Sequence, residues 1–172
     1  MKYAIGLLSL GMLVFSSLRA DPVAVPPAPN GIEFPADYPD WRVISLAHRV
    51  DNHTVRAILG NAIAVEAARA GNTNPWPDGA VLGKVVWKEV EKPAWKTAIV
   101  PDAFVHAEFM FRDAKRWADN GTGWGWARWV GSEHKPYGDD AGFSQECIGC
   151  HTPVKDNNWV FTRPAVFPSV FK

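Results

Sequence analysis

The sequence predicts an α+β domain built mainly on an antiparallel β-sheet with short helices. Long runs alternate between apolar and polar residues, one stretch alone has helical composition, and turn chemistry rich in Gly, Pro and Asn separates the runs. The chain has 172 residues, and after an N-terminal leader it is the size of one domain.

Taking the elements in order, Lys2 and the apolar run Ala4 to Phe15 lead to Ser16, Ser17, Leu18, Arg19 and Ala20, which reads as a secretory signal peptide over residues 1–20. The apolar run is too short to span a bilayer comfortably. Residues 21–30 hold Pro22, Pro26, Pro27 and Pro29 without apolar periodicity and are expected as an extended arm. Residues 31–172 are expected to form the single folded domain.

Trp41 to Val50 reads as a strand, with Trp41, Val43, Ser45 and Ala47 on one side and Arg42, Ile44, Leu46 and His48 on the other. A second strand runs from His53 to Leu59. The Ala-rich stretch Ala62 to Ala70 is a short amphipathic helix closed by Gly71. Asn74 to Gly79 is turn chemistry. From Ala80, Leu82, Lys84, Val86 and Lys88 share one strand face, with Val81, Gly83, Val85 and Trp87 on the other. Between Phe104 and Arg112, His106, Glu108, Met110 and Arg112 point one way and Val105, Ala107, Phe109 and Phe111 the other. Gly123 to Val130 is a further strand in which Trp124, Trp126, Arg128 and Val130 alternate with smaller residues and Trp129.

The chemistry concentrates near the C-terminus, at Cys147-Ile148-Gly149-Cys150-His151. Two thiols three positions apart, followed at once by an imidazole, form the attachment signature of a c-type haem. Each thiol can add to a vinyl group of one porphyrin, and the adjacent imidazole can ligate its iron. A zinc ribbon needs two more cysteines than this chain has, and a thioredoxin-like pair should follow a strand in a βαβ unit. The fold class therefore includes a C-terminal haem segment, with one haem c as the expected cofactor. Maturation of such haems outside the cytoplasm, together with the leader, gives a periplasmic expectation.

The precursor balances 18 basic against 18 acidic residues, and nothing in that balance points to nucleic acid. Opposite His151 the iron's sixth position is either filled, for electron transfer, or open, for binding or transforming a small molecule. Possible fillers in the mature chain are Met110, the one methionine after the leader, and His48, His53, His106 and His134. A methionine inside an alternating strand is more often packing, and any one histidine more often has a surface or hydrogen-bonding role. Glu108 lies mid-strand, where a charge must face water, a partner or a cofactor. Lys84 poses the same question in its own strand.

His53-Thr54-Val55-Arg56, then Pro77 to Lys84, Glu108 in its strand, Arg116-Trp117-Ala118 and finally the haem motif occur together in an order that resembles the cytochrome P-460 family from about Tyr38 onward. The resemblance implies a mostly antiparallel β fold, a homodimer, and a five-coordinate c haem on His151. It also implies a lysine joined covalently to a haem meso carbon, matched by Lys84, with Lys88 on the same predicted face. Glu108 matches the distal acidic residue associated with hydroxylamine oxidation, and Arg56 matches a pocket arginine. The implied activity is oxidation of hydroxylamine to nitrous oxide or nitric oxide, with Glu108 and Lys84 in the catalytic site and a redox partner cytochrome as electron acceptor. The related cytochromes c′-beta share the fold without the cross-link and bind diatomic gases. That alternative, with a cap drawn from Phe104, Phe109 or Trp87, stands beside a plain electron carrier.

Overall fold

The computed structural model describes residues 24–168. The leader expected over residues 1–20 lies outside them. Six strands form one sheet in the order β1-β2-β3-β4-β5-β6, every neighbouring pair antiparallel. The strands are β1 (Arg42–Arg49), β2 (Thr54–Gly60), β3 (Val81–Lys92), β4 (Trp95–Arg112), β5 (Trp124–Val130) and β6 (Lys135–Pro136). Among the described residues two α-helices, α1 (Ala62–Ala70) and α2 (Ser144–His151), and four short 3-10 helices complete the fold. The α+β expectation therefore holds.

The helix α1 forms where its sequence places it. Asn61 caps its start by accepting from the Ala64 amide at 3.0 Å, and Gly71 ends it in the left-handed region at φ 74°. The same Asn61 oxygen accepts from Val81 at 3.1 Å, and its amide donates to Gly79 at 2.8 Å, so the cap also ties the helix to the start of β3.

Each sheet face carries a hydrophobic core. On the front, Ile58, Leu82, Met110 and Trp126 meet α1, Trp76, Cys147 and Ile148 of α2, and Val160. On the back, Ala107, Phe109, Ala127 and Trp129 are covered by Ala28, Ile32, Phe34, Tyr38 and Trp41. From residue 24 on, the Pro-rich segment expected as an extended arm lies against this back core. Ala28 is buried, and the Trp129 indole donates to the Pro26 carbonyl at 2.9 Å.

Two bulges revise the alternation read from sequence. In β1 the pairing steps from Val43↔Leu59 to Ser45↔Ile58, leaving Ile44 as the extra residue. Ile44 drops into the front core, while Leu46, paired with Ala57, faces the back and is 70 % exposed. In β4 the pairing steps from Val86↔His106 to Trp87↔Phe104, so Val105 is the extra residue and Phe104 turns to the back. β4 also starts earlier than the expected Phe104, because Trp95 to Val100 pair with β3 in a ribbon that outruns β2 and β5.

Candidate functional site

Strand register assembles the polar side of the site. Lys84 of β3 stands opposite Glu108 of β4, and Glu108 stands opposite Arg128 of β5. Directly opposed residues share a face, so all three project from the front. Glu108 is ion-paired with Lys84, and its Oε1 lies 2.8 Å from Arg128 Nε and 3.2 Å from His106 Nε2. The Arg128 contact has ion-pair distance without hydrogen-bond alignment, and its Nε is otherwise unpartnered. The guanidinium stacks on Tyr137 at 4.4 Å, and the Tyr137 hydroxyl donates to Glu146 of α2 at 2.9 Å.

Burial alone would push the Glu108 carboxyl upward. The Lys84 and Arg128 cations outweigh it and bring the value down to about 2, so the group is a carboxylate at neutral pH. Burial lowers the basicity of His106 despite the attraction of Glu108, which keeps that imidazole neutral. Arg56 borders the cluster from β2, its Nε donating to Thr54 Oγ1 at 3.2 Å, and its field reaches Glu108. Lys88, the rival to Lys84 on sequence, is exposed and pairs in register with Thr54, while Lys84 lies beside Glu108.

The thiols and imidazole come from α2, a helix the sequence reading did not mark. Helical spacing sets Cys147, Cys150 and His151 at positions i, i+3 and i+4, which gathers them on one side. Cys147 packs against both cores, whereas Cys150 is exposed, and neither is in a disulfide. Burial pushes the Cys147 thiol up to about 11, against the opposing pull of Arg128. The His151 ring sits between Trp126 and Phe161, edge to face at 4.8 and 4.9 Å. Its Nδ1 is 2.7 Å from the Trp159 carbonyl, so Nδ1–H donates there and the Nε2 lone pair is left free. Burial, more than any neighbour, lowers its basicity and keeps it neutral. Cys147 and Ile148 pack against the front core, so α2 lies on the sheet face that carries the ion cluster.

This donor set fits a haem: two reduced thiols on one helical side, a neutral imidazole with one nitrogen already oriented by a carbonyl, and aromatic edges around it. Other residues weighed from sequence fall elsewhere. Met110 is packed in the front core, 9 % exposed. His48 and His53 both pair with Glu89, and His134 packs against Phe34 and Phe104 on the back. Arg112 bonds the Trp76 and Gly123 carbonyls and holds the sheet end together. The cap expected from Phe104, Phe109 or Trp87 is corrected by the register. Phe109 neighbours Glu108 and therefore faces away from it, and Phe104 and Trp87 oppose each other on the same back face.

Sequence reasoning passed over Arg128 as a site residue and treated His106 only as a possible ligand. A step of two along the strand from Glu108 reaches His106, but finding Arg128 requires the β4–β5 register. Comparison with curated proteins gives no match. Residues 35–162 match the family model described as Cytochrome P460, a span that holds every residue of this site, so the chain belongs to the cytochrome P460 family and is a haem protein.

Proposed function

We propose that this protein is a periplasmic mono-haem c-type cytochrome that oxidises hydroxylamine, releasing nitrous oxide or nitric oxide. The observation that carries the reading is the Lys84–Glu108 pair, directly opposed on β3 and β4, on the face where α2 presents Cys147, Cys150 and His151. Bound there, the haem supplies an iron coordination position for the substrate and an acceptor for its electrons.

The chain's residues do the rest. Cys147 and Cys150 would hold the haem through thioethers, and His151 would offer Nε2 to its iron while the Trp159 carbonyl fixes the ring. Glu108 receives the proton as each substrate N–H or O–H bond breaks, and Arg128 orients its carboxylate. Lys84 would be the residue joined to the haem edge, which would take its ammonium away from Glu108 and leave Arg128 and His106 beside the carboxylate. A redox partner cytochrome takes up the electrons. A homodimer is part of the same reading, supported by the exposed β3–β4 ribbon with Val90, Trp95 and Ile99 on its surface.

The test is hydroxylamine oxidation by the haem-loaded protein with an added electron acceptor. The Glu108→Ala variant should lose about 100-fold or more in kcat while keeping its haem, the range expected for a general base. Inert wild-type protein, or an undiminished variant, overturns the assignment.

A further inference from the structure

Glu108 meets three side chains, Lys84, Arg128 and His106. Under the proposed function Lys84 is joined to the haem edge, which leaves Arg128 and His106 beside the carboxylate. A guanidinium has no lone pair with which to accept a proton, whereas a neutral imidazole does. A base that takes protons in successive steps must lose each one before the next, and of these two neighbours only His106 can take it. His106 Nε2 lies 3.2 Å from Glu108 Oε1, and the His106 side chain is 22 % exposed, so it touches both the carboxylate and solvent.

We infer that His106 is the outlet through which Glu108 passes its protons to solvent, a positioning and relay role that rests on the proposed hydroxylamine oxidation. In each cycle a substrate N–H or O–H bond breaks, its electron pair stays on the substrate, and an O–H bond forms on Glu108. With Glu108 ionised, the neutral ring holds its hydrogen on Nε2, facing the carboxylate. Once Glu108 is protonated, exchange with water moves that hydrogen to Nδ1, and the Glu108 O–H bond then breaks as Nε2–H forms. The imidazolium releases the Nδ1 hydrogen to water, which restores the starting tautomer. One proton moves from site to solvent, and the relay consumes no electrons.

The groups facing His106 are Glu108 on its own strand, Lys84 on β3, Arg128 on β5 and Arg56 on β2. Burial, the largest influence, acts with the Arg128 and Arg56 cations, and with Lys84 while its ammonium is free, to favour the neutral ring over the attraction of Glu108. Acid then charges the imidazole and closes the outlet, with a midpoint below the ordinary value of 6.5.

Haem-loaded wild type, His106→Gln and His106→Asn are compared for kcat and KM on hydroxylamine between about pH 5 and pH 9, a range that brackets imidazole titration. Alongside, infrared difference spectra of wild type and Glu108→Gln are recorded on acidification without substrate. Both His106 variants should lose about 10- to 100-fold in kcat with KM little changed, lose the acid limb of the kcat profile, and recover rate on addition of free imidazole. In the infrared, imidazole ring bands should titrate together with a carboxylate band, and Glu108→Gln should uncouple them. Active wild type with variants that keep its kcat and acid limb overturns the relay and leaves the proposed function standing. Wild type that does not oxidise hydroxylamine overturns both. Should neither His106 variant load haem, the wild-type spectra decide: imidazole bands that titrate independently of Glu108 overturn the relay.

Discussion

Glu108 shows what a single residue contributes when its neighbours are set by register. Its carboxyl is held at about 2, below the ordinary 4.5, so the charged form stabilises the fold above about pH 4.5 and that contribution is lost as the pH falls towards 2. Glu108→Gln strips the partner from the half-buried Lys84 and Arg128 cations and is expected to cost roughly 3 kcal/mol at pH 7. Urea unfolding of both proteins from pH 7 downward should show that difference shrinking towards zero near pH 2, and a pH-independent difference would contradict the ion cluster. Part of this was legible from the chain. A charge mid-strand at Glu108 and a lysine interrupting an apolar strand at Lys84 both pointed to a site, because isolated charges in a sheet need partners. That Lys84 and not Lys88 lies beside Glu108 was not legible, since period 2 gives both the same face and only the β3–β4 register and the ion pair separate them.

At the scale of elements, local chemistry placed α1 and most strand centres, and tertiary contacts made the exceptions. The Asn61 cap satisfies one helix amide and one β3 amide, so Asn61→Ala should destabilise the domain by about 1–2 kcal/mol, measured by chemical denaturation. Gly125 in β5 sits under the Trp117 ring, and a Cβ there would clash with the indole. Gly125→Ala should therefore cost about 1–3 kcal/mol through overpacking, with a lowered Tm in a thermal melt. The β4 bulge at Val105 is the least legible feature. Phe104 and His106 are two apart and read as neighbours on one face, yet the extra residue sends Phe104 to the back and leaves His106 beside Glu108. The helix α2 went unread because its stretch carries Gly149 and two cysteines and has little apolar periodicity.

At the scale of the molecule, the sheet separates two environments: a back face sealed by aromatic rings and the N-terminal segment, and a front face that holds ions, thiols and imidazole. The β3–β4 ribbon projects beyond the sheet with Trp95 64 % exposed, and a two-stranded ribbon is marginal on its own. If it pairs with a second copy as proposed, Trp95→Glu should shift the protein from dimer to monomer in sedimentation velocity with its haem spectrum unchanged. The sequence by itself determined the antiparallel β class, the haem motif and the family resemblance, because alternation and fixed spacing are local properties that short segments carry. Only the tertiary structure decided which charges meet. Glu108 finds Lys84 and Arg128 through strand register, and α2 finds the front face through partial burial of Cys147 and Ile148, and both depend on segments distant in the chain.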